Sequence, residues 1–213
     1  MAWQNRISAA AAAAVVLAAV SSASAEEATV RLGAVRSITS GVTAWASAQG
    51  YFKAFGIKIE SSDLDTSANS IALLSQNQLD IIEGGIAAGY FNALEKNLPI
   101  TMVMDRVSTP IGHNLMLRPD LKDQITEVKQ LKGKVIATNG TVSTYEIGKL
   151  LALGGLGIND VELKVLPFPQ YAVAFANKAV DAGLVIPPFT TQYINDRIAV
   201  PFLASDTLIK PRR

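Results

Sequence analysis

The chain has 213 residues, no cysteine, one histidine and a formal net charge of +1. The absence of cysteine excludes disulfides, Fe–S clusters and cysteine-based zinc sites, and one histidine cannot form a cluster of histidine metal ligands. The near balance of charge gives no indication of a nucleic acid or an anionic lipid as a partner.

The first 25 residues have the three parts of a cleavable secretory signal peptide. Arg6 supplies a positive charge ahead of the apolar run 7–20, and small residues follow, with Ala23 and Ala25 in an A-x-A cleavage site. The 14 residues of that run are too few to cross a membrane, which takes roughly 20, so a retained anchor is the less favoured alternative. We expect cleavage after Ala25 and a mature protein in the bacterial periplasm.

Strand and helix signals alternate along the rest of the chain. This order favours an α/β fold, with parallel strands joined by right-handed crossovers. We expect Ser40 to cap the first helix and Gly56 to end it. The predicted strands are 29–35, 57–60, 79–83, 100–104, 134–138, 161–166 and 182–186; the predicted helices are 42–52, 67–76, 84–96, 143–153 and 170–177.

Two rounds of this pattern resemble each other. Gly56 recurs as Gly157 and Asp80 recurs as Asp181, in both cases 101 residues later. Chance is the alternative, because such pairs are common, but the shared order of elements favours two similar lobes. The predicted divisions are a signal peptide (1–25), lobe 1 (26–107), a hinge crossing (108–113) containing Thr109 and Pro110, lobe 2 (114–200), and a return crossing with a basic tail (201–213).

The loops that follow the predicted strands are the candidate binding site, because open α/β sheets bind ligands at the carboxyl ends of their strands. Helix N-termini, hydroxyl groups and glycines at these places suit an anion. For any single serine or threonine, helix capping is the alternative. Arg36 either neutralises an anionic group of the ligand or is a surface charge in solvent. Glu83 either binds an amino group of the ligand or pairs with a nearby arginine or lysine. The candidates are Arg36, Ser37, Thr39, Ser40, Glu83, Gly84, Gly85, Asn139, Gly140, Thr141, Ser143, Phe168, Pro188 and Phe189.

Motifs of enzymes are weak or absent. The sequence has no P-loop, no dinucleotide-binding glycine motif and no G-x-S-x-G. A Ser-His-Asp triad would have to use His113, the only histidine. We therefore expect a protein that is not an enzyme and that needs no metal or cofactor.

Several short segments form a recognisable series when they are taken in order. They are LDI at 79–81 with Gly84, LPI at 98–100, QLKGKVIA at 130–137, GLGI at 155–158 with DV at 160–161, and VDA at 180–182 followed by PF at 188–189. This series resembles one family, the NMT1/THI5-like or SsuA-like (nitrate/sulfonate/taurine) periplasmic solute-binding proteins of ABC importers. Two positions depart from the pattern of that family: Pro187 stands where an acidic residue is frequent, and Gln130 replaces an aspartate.

The resemblance implies a two-lobed periplasmic-binding-protein type II fold that closes on its ligand as a Venus flytrap. It also implies a monomer that captures a small anionic organic solute, sulfonate-, nitrate-, taurine- or thiamine-precursor-like, and delivers it to an ABC permease. Because the sequence stops about where the family crosses back into lobe 1, we expect the C-terminal part of lobe 1 to be missing. The alternatives are a periplasmic ligand sensor for a signalling system and, less favoured, a homologue of a thiamine-precursor biosynthesis enzyme.

Overall fold

The structure is a computed structural model that describes residues 27–64, 70–105 and 111–208. The predicted α/β class is confirmed, since strands and helices alternate around two separate sheets. The first sheet and its helices form lobe 1. Its elements are β1 (Ala28–Val35), α1 (Ile38–Ala48), α2 (Tyr51–Ala54), β2 (Ile57–Leu64), α3 (Ser70–Ser75), β3 (Ile81–Glu83) and α4 (Ala88–Glu95).

The second sheet and its helices form lobe 2. Its sheet is mixed, because β4 runs antiparallel to both of its neighbours, so the predicted parallel arrangement holds only for part of it. The strand order is β6-β5-β7-β4-β8. The elements are β4 (Asn114–Leu117), β5 (Val135–Thr138), α5 (Thr141–Ala152), β6 (Glu162–Val165), α6 (Tyr171–Ala176), β7 (Ala182–Val185), α7 (Phe189–Asn195) and β8 (Val200–Ala204).

The two lobes repeat one arrangement of strands. Lobe 1 has the order β2-β1-β3 with parallel pairing, and β6-β5-β7 in lobe 2 is paired in the same way. Of the two residue pairs that suggested a repeat, the aspartates match in space and the glycines do not. Gly56 directly precedes β2 and has φ 67°, whereas Gly157 has φ −103° and a 3-10 helix separates it from β6. Asp80 donates its backbone N–H to Arg31 O at 2.9 Å, and Asp181 donates to Val135 O at 2.8 Å. The spacing of 101 residues between the two aspartates therefore reflects a structural repeat.

The predicted strand 100–104 is wrong: this segment is not a strand, and Val103 is 81% exposed. The repeat gives the reason. In lobe 2 the corresponding element is β8, which pairs with β4 and not with β7. Among the described residues, lobe 1 has no counterpart of β4. Segment 100–104 therefore lacks a pairing partner, and β3 is left at an edge of its sheet.

The predicted return crossing begins too early. Residues 201–204 belong to β8, where Pro201 lies opposite Met116, so they are part of the lobe 2 sheet. A proline is tolerated there because β8 is an edge strand and has an unpaired side. Sequence patterns did not predict β4, α7 or β8.

The first helix also differs from the prediction. Its N-cap is Ser37, and Ser40 lies in the first turn, where its Oγ accepts a hydrogen bond from the Ser37 N–H at 3.2 Å. Gly50, at φ 75°, separates α1 from α2, and Gly56, at φ 67°, follows the end of α2. The predicted helix 84–96 begins only at Ala88.

Most of the buried apolar side chains lie in lobe 2. Both core clusters are built from lobe 2 residues, such as Leu115, Ile136 and Leu150 in one cluster and Tyr171 and Tyr193 in the other. Lobe 1 instead exposes large apolar side chains on its helices. No helix within the described ranges is long and apolar enough to cross a membrane.

Candidate functional site

A cleft of about 980 Å³ lies between the two lobes. This volume is in the range of small-molecule binding sites. Lobe 1 lines it with the loop after β1, the start of α1 and the loop after β3. Lobe 2 lines it with the loop after β5, one face of α5, and residues next to β4, β7 and β8.

Three helix N-termini meet at this cleft. Ile38 of α1, Thr141 of α5, and Ala87, the N-cap of α4, all line it. None of the three helices has an acidic residue in its first turn. The backbone N–H groups and the positive end of each helix dipole therefore act on the same space, an arrangement that favours an anion.

The loop between β5 and α5 is held in place from both sides. Asn139 Nδ2 donates to Leu166 O at 3.3 Å, and the hydroxyls of Thr138 and Thr144 are 3.0 Å apart. Gly140 has φ 135°, a conformation that favours glycine. These contacts fix the direction in which the α5 N-terminus points into the cleft.

The lobes touch each other across the cleft. The Ile38 N–H donates to Pro187 O at 3.2 Å, and the Ala88 N–H donates to Thr141 Oγ1 at 3.3 Å. A Cβ added to Gly85 would lie 3.7 Å from Val142. Two first-turn N–H groups of lobe 1 are thus satisfied by lobe 2, which indicates a closed arrangement of the lobes.

Nine of the predicted site residues line this cleft. They come from three of the four predicted loops, those after β1, β3 and β5, and from the short 3-10 helix that follows β6. They are Ser37, Thr39, Gly84, Gly85, Asn139, Gly140, Thr141, Ser143 and Phe168.

Five of the predicted site residues do not line the cleft, and the side chains of three of these form hydrogen bonds to other residues of lobe 1. Arg36 pairs with Asp63 at 2.5 Å, a hydrogen bond that raises the pKa of the guanidinium. Ser40 Oγ donates to Val35 O at 3.1 Å, and Glu83 accepts a hydrogen bond from Thr43 Oγ1. The Arg36 side chain is therefore an exposed surface charge that pairs with an acidic side chain, and Ser40 belongs to the capping box of α1 although Ser37 is the N-cap. The hydrogen bond of Glu83 comes from a hydroxyl group, not from the basic side chain that was the alternative.

The last two, Pro188 and Phe189, lie outside the cleft lining. Phe189 stacks on Phe168, with ring centroids 5.9 Å apart, and Pro187 takes the lining position next to Pro188. Tyr193 donates its hydroxyl to Phe168 O at 2.6 Å. Burial raises the pKa of Tyr193 to about 12. Phe189 and Tyr193 therefore support the cleft residue Phe168.

The sequence analysis did not predict that one face of α5 beyond Ser143 lines the cleft. Val142, Tyr145, Glu146 and Lys149 repeat at helical spacing and all line it. Glu146 lies 3.1 Å from His113 Nδ1, and the Lys149 ammonium lies 5.3 Å from the centroid of the Tyr145 ring. The helical periodicity after Ser143 could have indicated this face, because a helix whose N-terminus points at a cleft continues along its wall.

Several predicted features lie outside the described residues: the signal peptide with Ala25, the hinge residues Thr109 and Pro110, and the basic tail 209–213. The segments that flank the hinge end at Asp105 and Ile111, and both of these residues line the cleft. In the described part of the chain, no group of three His, Asp or Glu side chains could hold a metal ion.

Similar folds occur among solved structures of periplasmic binding proteins. The alkanesulfonate-binding protein SsuA from Xanthomonas axonopodis pv. citri, bound to MOPS, is 23% identical, with a TM-score of 0.72 over 87% of this chain and 63% of that chain. SsuA from Escherichia coli, a periplasmic aliphatic sulphonate binding protein, is 17% identical, with a TM-score of 0.66 over 85% and 58%. The periplasmic nitrate-binding protein NrtA from Synechocystis PCC 6803 is 18% identical, with a TM-score of 0.61 over 84% and 52%.

These similarities confirm the predicted two-lobed periplasmic-binding-protein fold. This chain spans about three-fifths of the length of the two SsuA proteins and about half of the length of NrtA. No curated protein sequence matches the chain. The sequence profile of the NMT1/THI5-like family matches residues 40–197, which is most of the chain. The chain therefore belongs to the NMT1/THI5-like family.

Proposed function

We propose that the chain is the extracytoplasmic solute-binding component of an ABC importer and that it captures a small anionic organic solute between its lobes. The observation that carries this proposal is the meeting of three helix N-termini at one cleft, with no acidic residue in the first turn of any of them. An anion there is stabilised by three partial positive charges at once.

The anion-binding groups are backbone N–H groups and neutral hydroxyls. At the mouth of α5, Thr141 and Ser143 carry hydroxyl donors. At the mouth of α1, the hydroxyls of Ser37 and Thr39 are 2.7 Å apart, so one donates to the other and the second is left to donate to the ligand. The glycines of the loop after β3 let the backbone approach the ligand. Arg36 has no part in this scheme, because its guanidinium is held by Asp63. Oriented dipoles hold an oxyanion without the desolvation of a full positive charge.

Binding couples to closure of the lobes. The hydrogen bonds from Ile38 to Pro187 and from Ala88 to Thr141 form only when the lobes meet. In the proposed cycle they open when the solute leaves and form again when it is enclosed, with Thr109 and Pro110 in the segment that bends. The closed form docks on the permease.

The cellular context rests on three further observations. The chain belongs to the NMT1/THI5-like family, similar folds include sulfonate- and nitrate-binding periplasmic proteins, and the N-terminus has the pattern of an export signal. They support sulfonate-, nitrate- or taurine-like solutes ahead of cations or neutral sugars.

Isothermal titration calorimetry of the full chain tests the proposal. The ligands are nitrate, sulfate, ethanesulfonate, taurine and pentane-1-sulfonate, with propylammonium as a cationic control. We expect at least one of the anions to bind with micromolar affinity and propylammonium not to bind. If a chain that melts cooperatively binds none of the anions, or prefers the cation, the proposal is wrong.

A further inference from the structure

The cleft contains a buried hydroxyl group away from the helix N-termini. Ser205 is fully buried and lines the cleft, and no group in the described part of the chain forms a hydrogen bond with its Oγ. Its backbone N–H donates to His113 O at 3.0 Å, so the two residues are held side by side. A buried hydroxyl without a partner costs free energy. A partner that arrives with the ligand would remove that cost.

His113, whose backbone is hydrogen-bonded to that of Ser205, also belongs to an acid–imidazole pair that lines the cleft. Glu146 lies 3.1 Å from His113 Nδ1, and its side chain is 12% exposed. A carboxylate has lone pairs for several donors, so this contact leaves room for another. Glu146 follows Thr141, the first residue of α5, by five positions. The pair therefore lies about 7.5 Å along the axis from the helix N-terminus, at 1.5 Å per residue.

The charges around this part of the cleft have mixed sign. Asp105 and Glu146 are acidic, and Lys149 is basic and stacks on the Tyr145 ring. A second anionic group on the ligand would meet the carboxylate of Glu146. A group that donates hydrogen bonds fits both available acceptors, the Glu146 carboxylate and the Ser205 hydroxyl.

We propose that Ser205, Glu146 and His113 form a distal subsite that binds an amine or hydroxyl group at the end of the ligand opposite its anionic group. This inference rests on the proposed function and adds the substrate class: an elongated organic anion with a hydrogen-bond donor about 7 Å from the anionic atom. His113 positions the carboxylate of Glu146, and Ser205 and Glu146 contact the ligand.

Three sulfonates of equal length probe the subsite: pentane-1-sulfonate, 4-hydroxybutane-1-sulfonate and 4-aminobutane-1-sulfonate. They differ only in their terminal group, and the hydroxyl and amino arms separate hydrogen bonding from charge. By calorimetry on the full chain, we expect at least one polar ligand to bind roughly tenfold more tightly than pentane-1-sulfonate, the size of effect expected for a hydrogen bond that completes a buried polar site.

Ser205→Ala is the decisive variant, and Thr190→Val is its matched control. The Thr190 hydroxyl is also buried without a partner in the described structure, but Thr190 lies outside the cleft lining. Neither variant loses a hydrogen bond to any of the described residues, so both should melt no lower than the parent chain without ligand. Only Ser205→Ala should abolish the preference for the polar ligand, and Glu146→Gln should reduce it.

The outcomes separate this inference from the function on which it rests. Equal binding of all three sulfonates, binding of nitrate alone, or an unchanged preference in Ser205→Ala overturns the distal subsite and leaves the proposed function standing. A lower melting temperature of Ser205→Ala without ligand, with the preference intact, assigns the residue a structural role instead. Failure of the folded chain to bind any anion overturns both proposals.

Discussion

The carboxylates of Asp80 and Asp181 make the same hydrogen bond in the two lobes. Asp80 Oδ2 accepts the backbone N–H of Arg31 on β1 at 2.8 Å, and Asp181 Oδ2 accepts the backbone N–H of Val135 on β5 at 3.0 Å. Each aspartate also interacts with an arginine, Arg31 at 2.6 Å and Arg118 at 3.4 Å. Each therefore ties the start of one strand to the parallel strand beside it, β3 to β1 in lobe 1 and β7 to β5 in lobe 2.

This relationship predicts a pH-dependent contribution to stability in lobe 1. The hydrogen bonds from the Arg31 side chain and backbone lower the pKa of Asp80 to about 2, whereas an unfolded aspartate titrates near 3.9. A lowered pKa in the folded state stabilises the fold above the unfolded pKa, and that contribution is lost as the pH falls towards 2. Asp80→Asn should therefore melt below the parent at pH 7, with a difference that shrinks between pH 4 and 2 in calorimetric scans. A difference that stays constant with pH would contradict this.

A pair of glycine substitutions tests the packing of lobe 2. A Cβ added to Gly183 of β7 would lie 3.1 Å from the Tyr171 ring and 3.2 Å from Ala137 Cβ. We expect Gly183→Ala to destabilise the protein by about 1–3 kcal/mol, because the core is overpacked. The control is Gly41→Ala in α1, where nothing lies within 4 Å of the added atom; helix propensity predicts stabilisation of about 0.5–1 kcal/mol. Urea denaturation measures both, and equal effects would show that the packing is described wrongly.

The uneven distribution of the core predicts uneven protection from hydrogen exchange. Ile136 and Leu184 lie in strands of lobe 2 and are fully buried, whereas segment 100–104 of lobe 1 has no pairing partner among the described residues. Lobe 1 should open locally at lower free energy. By mass spectrometry, amides of β1 and β3 should exchange roughly tenfold faster or more than those of β5 and β7. Equal protection of the two sheets would argue against this.

The sequence predicted the features that depend on neighbouring residues. Strands such as β1 and β5 follow local apolar patterns, and the repeat at Asp80 and Asp181 was visible as a spacing. Segment 100–104 has the composition of a strand, but a strand also requires a partner, and its partner position is the one that β4 fills in lobe 2. Propensity alone could not show that the partner is lacking within the described part of lobe 1.

In the cleft, too, the sequence predicted only the features that depend on residues close together in the chain. The helix N-termini were predicted because a strand, a polar loop and a helix follow one another in the chain. The pair His113–Glu146 joins residues 33 apart, and Ser205 reaches the cleft only because β8 returns beside β4. The sequence did not decide whether Arg36 binds an anionic ligand or lies in solvent. In the structure its guanidinium pairs with Asp63, which is 27 residues away in sequence.

Placing one negative charge at the mouth of α5 tests the central claim most directly. Ser143 lies in the first turn of α5 and lines the cleft. Ser143→Asp should leave the helix no less stable, since acidic residues favour helix N-termini, but it should repel a bound anion. Ser143→Asn is the neutral control of equal size.

The measurement is the Kd of pentane-1-sulfonate for the parent and both variants by isothermal titration calorimetry. We predict that Ser143→Asp binds at least roughly tenfold more weakly than Ser143→Asn, while the two variants melt within a few degrees of each other without ligand. Equal affinity of the two variants, or tighter binding by Ser143→Asp, would contradict the account of this cleft as an anion site.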